Sequence, residues 1–273
     1  WEEGNAAGGV GGRRIRILLG DDEGDPRRAA SVDQDLIRRG VRLFLGHSLS
    51  TTTEAALPLM ERHRCLLVSP LASSPRLSGR DDLLVRLPSA SPLSGRDLGR
   101  HGARLGLRRV ACAWDRGNEI YALPWVESFA EAFRREGGEM TARRSYLRRA
   151  GGSFDELAAE LLRHRPDGVL AVAGALDVAL LAQRLRLRGF QGPILCAPWG
   201  VGRELVAYGG GAVEGLRTIH FVHPLGEVGE FSDRFRSRFR EDPSWSAVLG
   251  YETAQVLLEA LEAFAPDIFF VEL

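Results

Sequence analysis

The run GHSLSTTTEAALP, residues 46–58, places a histidine and several hydroxyl side chains between an apolar run and a helical window. Thr51 stands three residues before Glu54, the spacing of a capping box, so a helix is expected to begin at Thr51. A helix start directs amides that have no acceptor in the helix, and the positive end of its dipole, toward whatever lies above it. A carboxylate is the natural guest there, and Ser50 adds a hydroxyl donor. The same residues also serve as a plain helix cap with no ligand. A second polar run, SPLASSP at 69–75, follows the next apolar run and reads equally as a Ser-Pro turn. Tyr121 opens another helical window; its ring can cover an apolar group while its hydroxyl meets a polar one, or it is a half-exposed aromatic at a helix start. Trp125, one turn on, reads as core.

Other candidate chemistry falls away. Gly8, Gly9, Gly11 and Gly12 precede the apolar run Ile15–Leu19 instead of following a strand, and no Lys-Ser or Lys-Thr pair comes after them, so they read as a turn and not as a phosphate cradle. The six histidines are scattered, with His47 read as a strand-end residue. Cys65, Cys112 and Cys196 share no metal-ligand spacing and read as buried free thiols. No nucleophile is paired with a base, so the expectation is a protein that is not an enzyme, with no catalytic residues, no metal and no cofactor.

The elements that must hold these groups alternate. Short apolar runs at 14–20, 42–46, 65–69, 83–87, 108–114, 140–146, 167–173, 193–197 and 216–222 predict strands, with helical windows between most of them. Pro26 opens one helix, which Gly40 ends; Val126, Phe129 and Phe133 mark a second at 120–136. Ser153 and Glu156 form a capping box ahead of a third. Asp177 reads as the cap of the helix that begins there. WEEGNAAGG reads as the end of a helix, and windows at 227–240 and 245–264 close the chain before DIFFVEL, an abrupt step where residues could be missing from the numbering. This alternation predicts an α/β protein of parallel sheets covered by helices. Pro/Ser/Gly stretches at 88–95 and 222–229 mark places where the chain would cross between two lobes.

Composition agrees with a folded, soluble chain. Of 273 residues 44% are hydrophobic, enough for a sizeable core, and 36 basic side chains balance 36 acidic ones, which removes the basic footprint of a nucleic-acid or membrane-surface binder. Every basic side chain other than histidine is arginine. No membrane span or signal peptide is apparent.

With these motifs in order, NAAGGVGGRRIRILLGDDEGDP, LIRRGVRLFLGHSLSTTTEAALPLMERHRCLLVSPLASSPRL, RRVACAWDRGNEIYALPWVESFAEAFRREGGEM, GGSFDELAAELLRHRPDGVLAVAG, GGGAVEG and GYETAQVLLEALEAF, nearly the whole chain resembles the type I periplasmic binding proteins of the branched-chain amino acid (Leu/Ile/Val) group. The resemblance implies two Rossmann-like lobes on a hinge with a ligand cleft between them: 1–89 plus 225–264 as the first lobe, 90–224 as the second and 265–273 as a late strand near the hinge. The family's first strand and its cleft loop have no counterpart here. In the family the glycine stretch is the turn into the second strand.

The resemblance also assigns residues. Ser50 and the helix start at Thr51 would bind the ligand carboxylate, the 71–73 segment (Leu71, Ala72, Ser73) would hold carboxylate and ammonium, and Tyr121 would close over the ligand. Trp199 stands where the amino-acid binders carry the acid that neutralises the ammonium, and Gly174 and Ala175 replace a common aromatic. Burying an ammonium without a partner costs several kcal/mol, against roughly −8 kcal/mol for micromolar binding. A Trp face returns only about 0.5–2 kcal/mol. The expected ligand is therefore a small carboxylate, aromatic or otherwise apolar, in preference to a plain α-amino acid. The implied role is an extracytoplasmic solute-binding protein of an ABC uptake transporter, partnered by the membrane permease, with no nucleic acid and no membrane insertion. A ligand-sensing domain of a regulator or receptor is the alternative.

Overall fold

The computed structural model describes residues 1–88, 92–147, 153–219 and 229–264. The chain divides into two compact units, one of Trp1–Ser73, Gly79–Ser89 and Val228–Leu273, the other of Ser74–Ser78 and Ala90–Glu227.

The first unit runs α1 (Glu2–Ala6), α2 (Pro26–Arg38), β1 (Leu43–Leu45), α3 (Ser50–His63), β2 (Leu66–Ser69) and β3 (Leu84–Arg86), and later α9 (Gly229–Phe239) and α10 (Trp245–Phe264). Its sheet is parallel in the order β1-β2-β3, with Phe44 beside Leu67 and Val68 beside Val85. Asp25 caps α2 by accepting from the amides of Arg27 and Arg28, and Pro26 sits at its first position. Phe231 stacks on Tyr251 at 4.2 Å between α9 and α10.

The predicted strand at 14–20 does not form. Residues 14–22 carry no regular secondary structure and pair with no described strand, leaving Ile17 and Leu19 exposed; the Ile15 amide and carbonyl bond instead to the Asn5 side chain. The glycines before them do make a turn: all four have positive φ, and a Cβ on Gly9 would sit 1.9 Å from the Arg13 carbonyl oxygen. A cavity of about 580 Å³ opens between this segment, β1, α2 and Leu257 and Leu261 of α10.

The second unit contains α4 (Pro92–Arg104), β4 (Arg109–Asp115), α5 (Glu119–Arg135), β5 (Glu139–Tyr146), α6 (Phe154–Arg163), β6 (Gly168–Val172), α7 (Ala175–Leu187), β7 (Ile194–Cys196), α8 (Arg203–Gly209) and β8 (Arg217–Thr218). Its sheet is parallel in the order β5-β4-β6-β7-β8. Alternate residues feed opposite faces. Ala111, Ala113, Val169 and Ala171 join one core with α6 and α7, while Val110, Cys112, Leu170 and Val172 join the other with α5. All five residues of β6 are buried, as a central parallel strand requires. Trp125, Phe129 and Phe133 stack in series along α5. Helix α4 approaches α5 through Gly95 and Gly99, where an added Cβ would lie 2.4 Å from the Trp125 carbonyl oxygen and 2.6 Å from that of Phe129.

The other predicted strands coincide with β1 to β8 to within a few residues. Residues 220–222 of the last one, 89–91 of the 88–95 stretch, nearly all of 222–229 and the DIFFVEL segment lie outside the described residues, while 92–95 open α4. Ser153 caps α6 through the Glu156 amide as expected. Asp177 does not cap α7: Gly174 is the N-cap residue, and the Asp177 carboxylate accepts instead from the Tyr146 hydroxyl at 2.9 Å. A carboxylate two positions past the helix start can face a neighbouring strand, and here the β5 phenol supplies the donor. Among the described residues no helix is long and apolar enough to cross a membrane.

Candidate functional site

In parallel α/β sheets the loops that leave the carboxyl ends of the strands carry ligands. In the first unit those loops hold the predicted seat. After β1 the chain passes Gly46 and His47 into α3, whose first residue is Ser50 and whose N-cap is Leu49. The expected Thr51 capping box is therefore shifted: Thr51 lies inside the first turn and no side chain caps the helix. Thr52 and Thr53 instead turn their hydroxyls back onto the Leu49 carbonyl at 3.0 and 2.9 Å. The Thr53 amide is the first to bond within the helix, to Leu49. Ser50, Thr51 and Thr52 make up the first turn ahead of it. Ser50 is 2% exposed.

At the last residue of β2, the hydroxyl of Ser69 donates to the His47 carbonyl at 2.9 Å and accepts from the Ala72 amide at 3.1 Å. This one buried hydroxyl ties the loop carrying Ser50 to the loop carrying Leu71, Ala72 and Ser73. The Ala72 carbonyl accepts from Arg86 at the end of β3, 3.3 Å away. Ala72 thus has both backbone polar groups engaged within its own unit and is completely buried, whereas Leu71 keeps partial exposure. Burial holds the Arg86 guanidinium below its ordinary pKa, with the Asp82 charge opposing.

Sequence reasoning missed the histidine cluster behind this seat. His47 Nδ1 is 2.7 Å from Asp22 Oδ2 and Nε2 is 3.0 Å from Asp33 Oδ2. Burial pulls its pKa down, but the hydrogen bonds and charges of Asp33 and then Asp22 outweigh that and raise it above the ordinary 6.5. An available signal was Asp33 itself, an acid on the otherwise inward face of α2 alongside Ala29, Leu36 and Ile37.

The second unit brings Tyr121 and Trp199 together. Tyr121 lies in the first turn of α5, and Trp199 in the short 3-10 turn Pro198–Gly200 after β7. Their rings meet edge to face with centroids 5.8 Å apart. Burial drives the Tyr121 phenol well above its usual pKa, Cys196 adds to the rise, and a backbone hydrogen bond at Trp199 opposes it. The indole edge of Trp199 lies over Gly174, where a Cβ would be 3.6 Å from Nε1. Trp125 is wholly buried, as its spacing predicted.

Cys65, Cys112 and Cys196 are free and buried, and burial pushes the last two thiols up to about 12. A thiol held protonated is a poor nucleophile or metal ligand. Among the described residues no cluster of His, Cys, Asp or Glu has the makings of a metal site.

Comparison with known proteins agrees with this architecture. The chain is 25% identical over 270 residues to the leucine-, isoleucine-, valine-, threonine- and alanine-binding protein of Pseudomonas aeruginosa, covering 96% of this chain and 70% of that one. A leucine-binding protein from Thermotoga maritima superposes with a TM-score of 0.82 at 24% identity, over 95% of this chain and 75% of that one. The solute-binding protein of an ABC transporter from R. palustris, solved with benzoate, superposes with a TM-score of 0.85 at 21% identity, over 96% and 74%. The periplasmic binding protein family matches residues 1–268. The chain belongs to that family.

Proposed function

We propose that this chain is the extracytoplasmic solute-binding protein of an ABC uptake transporter, and that it closes its two lobes over a small carboxylate-bearing ligand and presents it to a membrane permease. The observation that carries the reading is the construction at the carboxyl end of the first unit's sheet. The first turn of α3 with Ser50 is fixed through Ser69 to the 71–73 loop, which assembles donors suited to one carboxylate. On the second unit Tyr121 and Trp199 offer an apolar, aromatic surface for the remainder of the ligand. Ligand contacts that exist only with the lobes closed would shift an open-closed equilibrium by their differential affinity.

Trp199 in place of an acid favours an aromatic or apolar acid over an α-amino acid. The benzoate complex of the R. palustris protein is in keeping with such a ligand class. Calorimetry with benzoate, 3,4-dihydroxybenzoate, leucine, isoleucine and valine tests it: an aromatic acid is expected to bind at least tenfold tighter than leucine. Tight binding of leucine, with the aromatic acids inert, would overturn the ligand assignment.

A further inference from the structure

The two ring nitrogens of His47 both meet carboxylate oxygens, Asp22 at 2.7 Å and Asp33 at 3.0 Å. An ionised carboxylate only accepts, and a neutral imidazole has a single N–H, so both contacts are satisfied together only by the imidazolium. The cation is held where the chain most needs a joint. Asp33 comes from the buried face of α2. Asp22 belongs to the turn that leads into α2, where its other oxygen accepts the Gly24 amide at 2.7 Å. The His47 carbonyl receives the Ser69 hydroxyl that also holds the Ala72 amide. Three residues beyond His47 stands Ser50.

We propose that His47 is the positioning residue of the carboxylate seat: an imidazolium strut between Asp22 and Asp33 that fixes the Ser50 loop against the 71–73 loop, so that the seat is assembled while His47 keeps its proton and slackens when the proton leaves. This rests on the carboxylate-binding reading given above.

The charges around the strut are accounted for element by element. The 20–25 turn supplies Asp22; its neighbour Asp21 is turned away onto the Glu23 amide, and Glu23 pairs with Arg28. Helix α2 supplies Asp33. From the start of β1 and of β2, Arg42 and Cys65 lie close enough to interact electrostatically, Cys65 with both Arg42 and Asp33. Ser69 from β2 meets only the backbone, and α10 presents Leu257 and Leu261 to the adjoining cavity. Two carboxylates thus face one imidazolium. The pKa of His47 is higher folded than unfolded, so the strut is complete below pH 6.5 and is lost as pH rises through the raised folded value.

The test uses the whole chain. Ring ¹⁵N signals of histidine-labelled protein, hydrogen exchange at the Ala72 amide and benzoate and leucine calorimetry are followed together from pH 5 to 9. The His47 midpoint is expected above 6.5. Protection at Ala72, corrected for intrinsic exchange, and affinity for whichever acid binds should each fall about tenfold across that midpoint, or about 1.4 kcal/mol. Asp33→Asn, which keeps the shape and removes one charge, should move all three transitions to lower pH. A His47 titration that leaves Ala72 protection flat would overturn the strut, even with binding intact. Ala72 protection that follows His47 while neither acid binds at any pH would support the strut and instead defeat the carboxylate-binding reading.

Discussion

The two units handle the same problem, holding loops at the carboxyl end of a parallel sheet, by different means. In the second unit the sheet has five strands, β6 is buried along its whole length, and apolar clusters cover both faces. Its candidate binding groups are rings, Tyr121 and Trp199, which keep their places because they are packed. In the first unit the described sheet has three short strands, Leu45 and Val85 are exposed, and the loops are held by named polar bonds through Ser69, His47, Asp22 and Asp33. Packing depends on volume and is nearly indifferent to pH, whereas a buried ionic network depends on protonation. The candidate groups of the second unit should therefore answer to changes of size and those of the first to changes of charge.

The largest effect that would break this contrast is at Gly99. Its absent Cβ lets α4 lie against the Phe129 carbonyl, so Gly99→Leu forces the helices apart and should cost about 3 kcal/mol, read as a loss in the denaturation midpoint at any pH from 5 to 9. A loss that varied with pH would show that the second unit too is held by charge. Next in size is Ser50→Ala. Its hydroxyl is proposed to donate to the ligand carboxylate, so affinity for the acid that binds should drop by about 1–3 kcal/mol. A fall in stability with unchanged affinity would return Ser50 to the role of a structural hydroxyl.

These differences also explain what could be read from the amino acids. The parallel α/β class, the stacked face of α5 and the buried cysteines were legible because each rests on local periodicity or on apolar residues in a strand run. Tyr121 and Trp199 were legible as candidates, but their mutual contact and the seat of the indole over Gly174 depend on two loops far apart in sequence. The Thr51 cap was misplaced, the N-cap being Leu49 two positions earlier: the threonine hydroxyls after Thr51 bond back to Leu49, and three consecutive threonines make the register of such bonds invisible in advance. Asp177 was misassigned because its partner is Tyr146, 31 residues earlier. The His47 cluster was missed for a similar reason: Asp22, Asp33 and His47 span 25 positions and share no motif spacing.

The smallest expected effect concerns the segment where sequence and structure part. Residues 14–20 have strand-like apolar character, yet they make no ladder, and Leu19 is 90% exposed. An exposed side chain has little burial to lose, so Leu19→Ser should change stability by less than about 0.5 kcal/mol. Leu170, fully buried at the centre of β6, serves as the reference; truncation to alanine there should cost about 2–5 kcal/mol. If Leu19→Ser instead approached the Leu170→Ala loss, the cavity beside β1 would have to be filled in solution and residues 14–20 packed as a strand. The first unit would then share the second unit's dependence on apolar packing, and the contrast between them would narrow to the His47 strut alone.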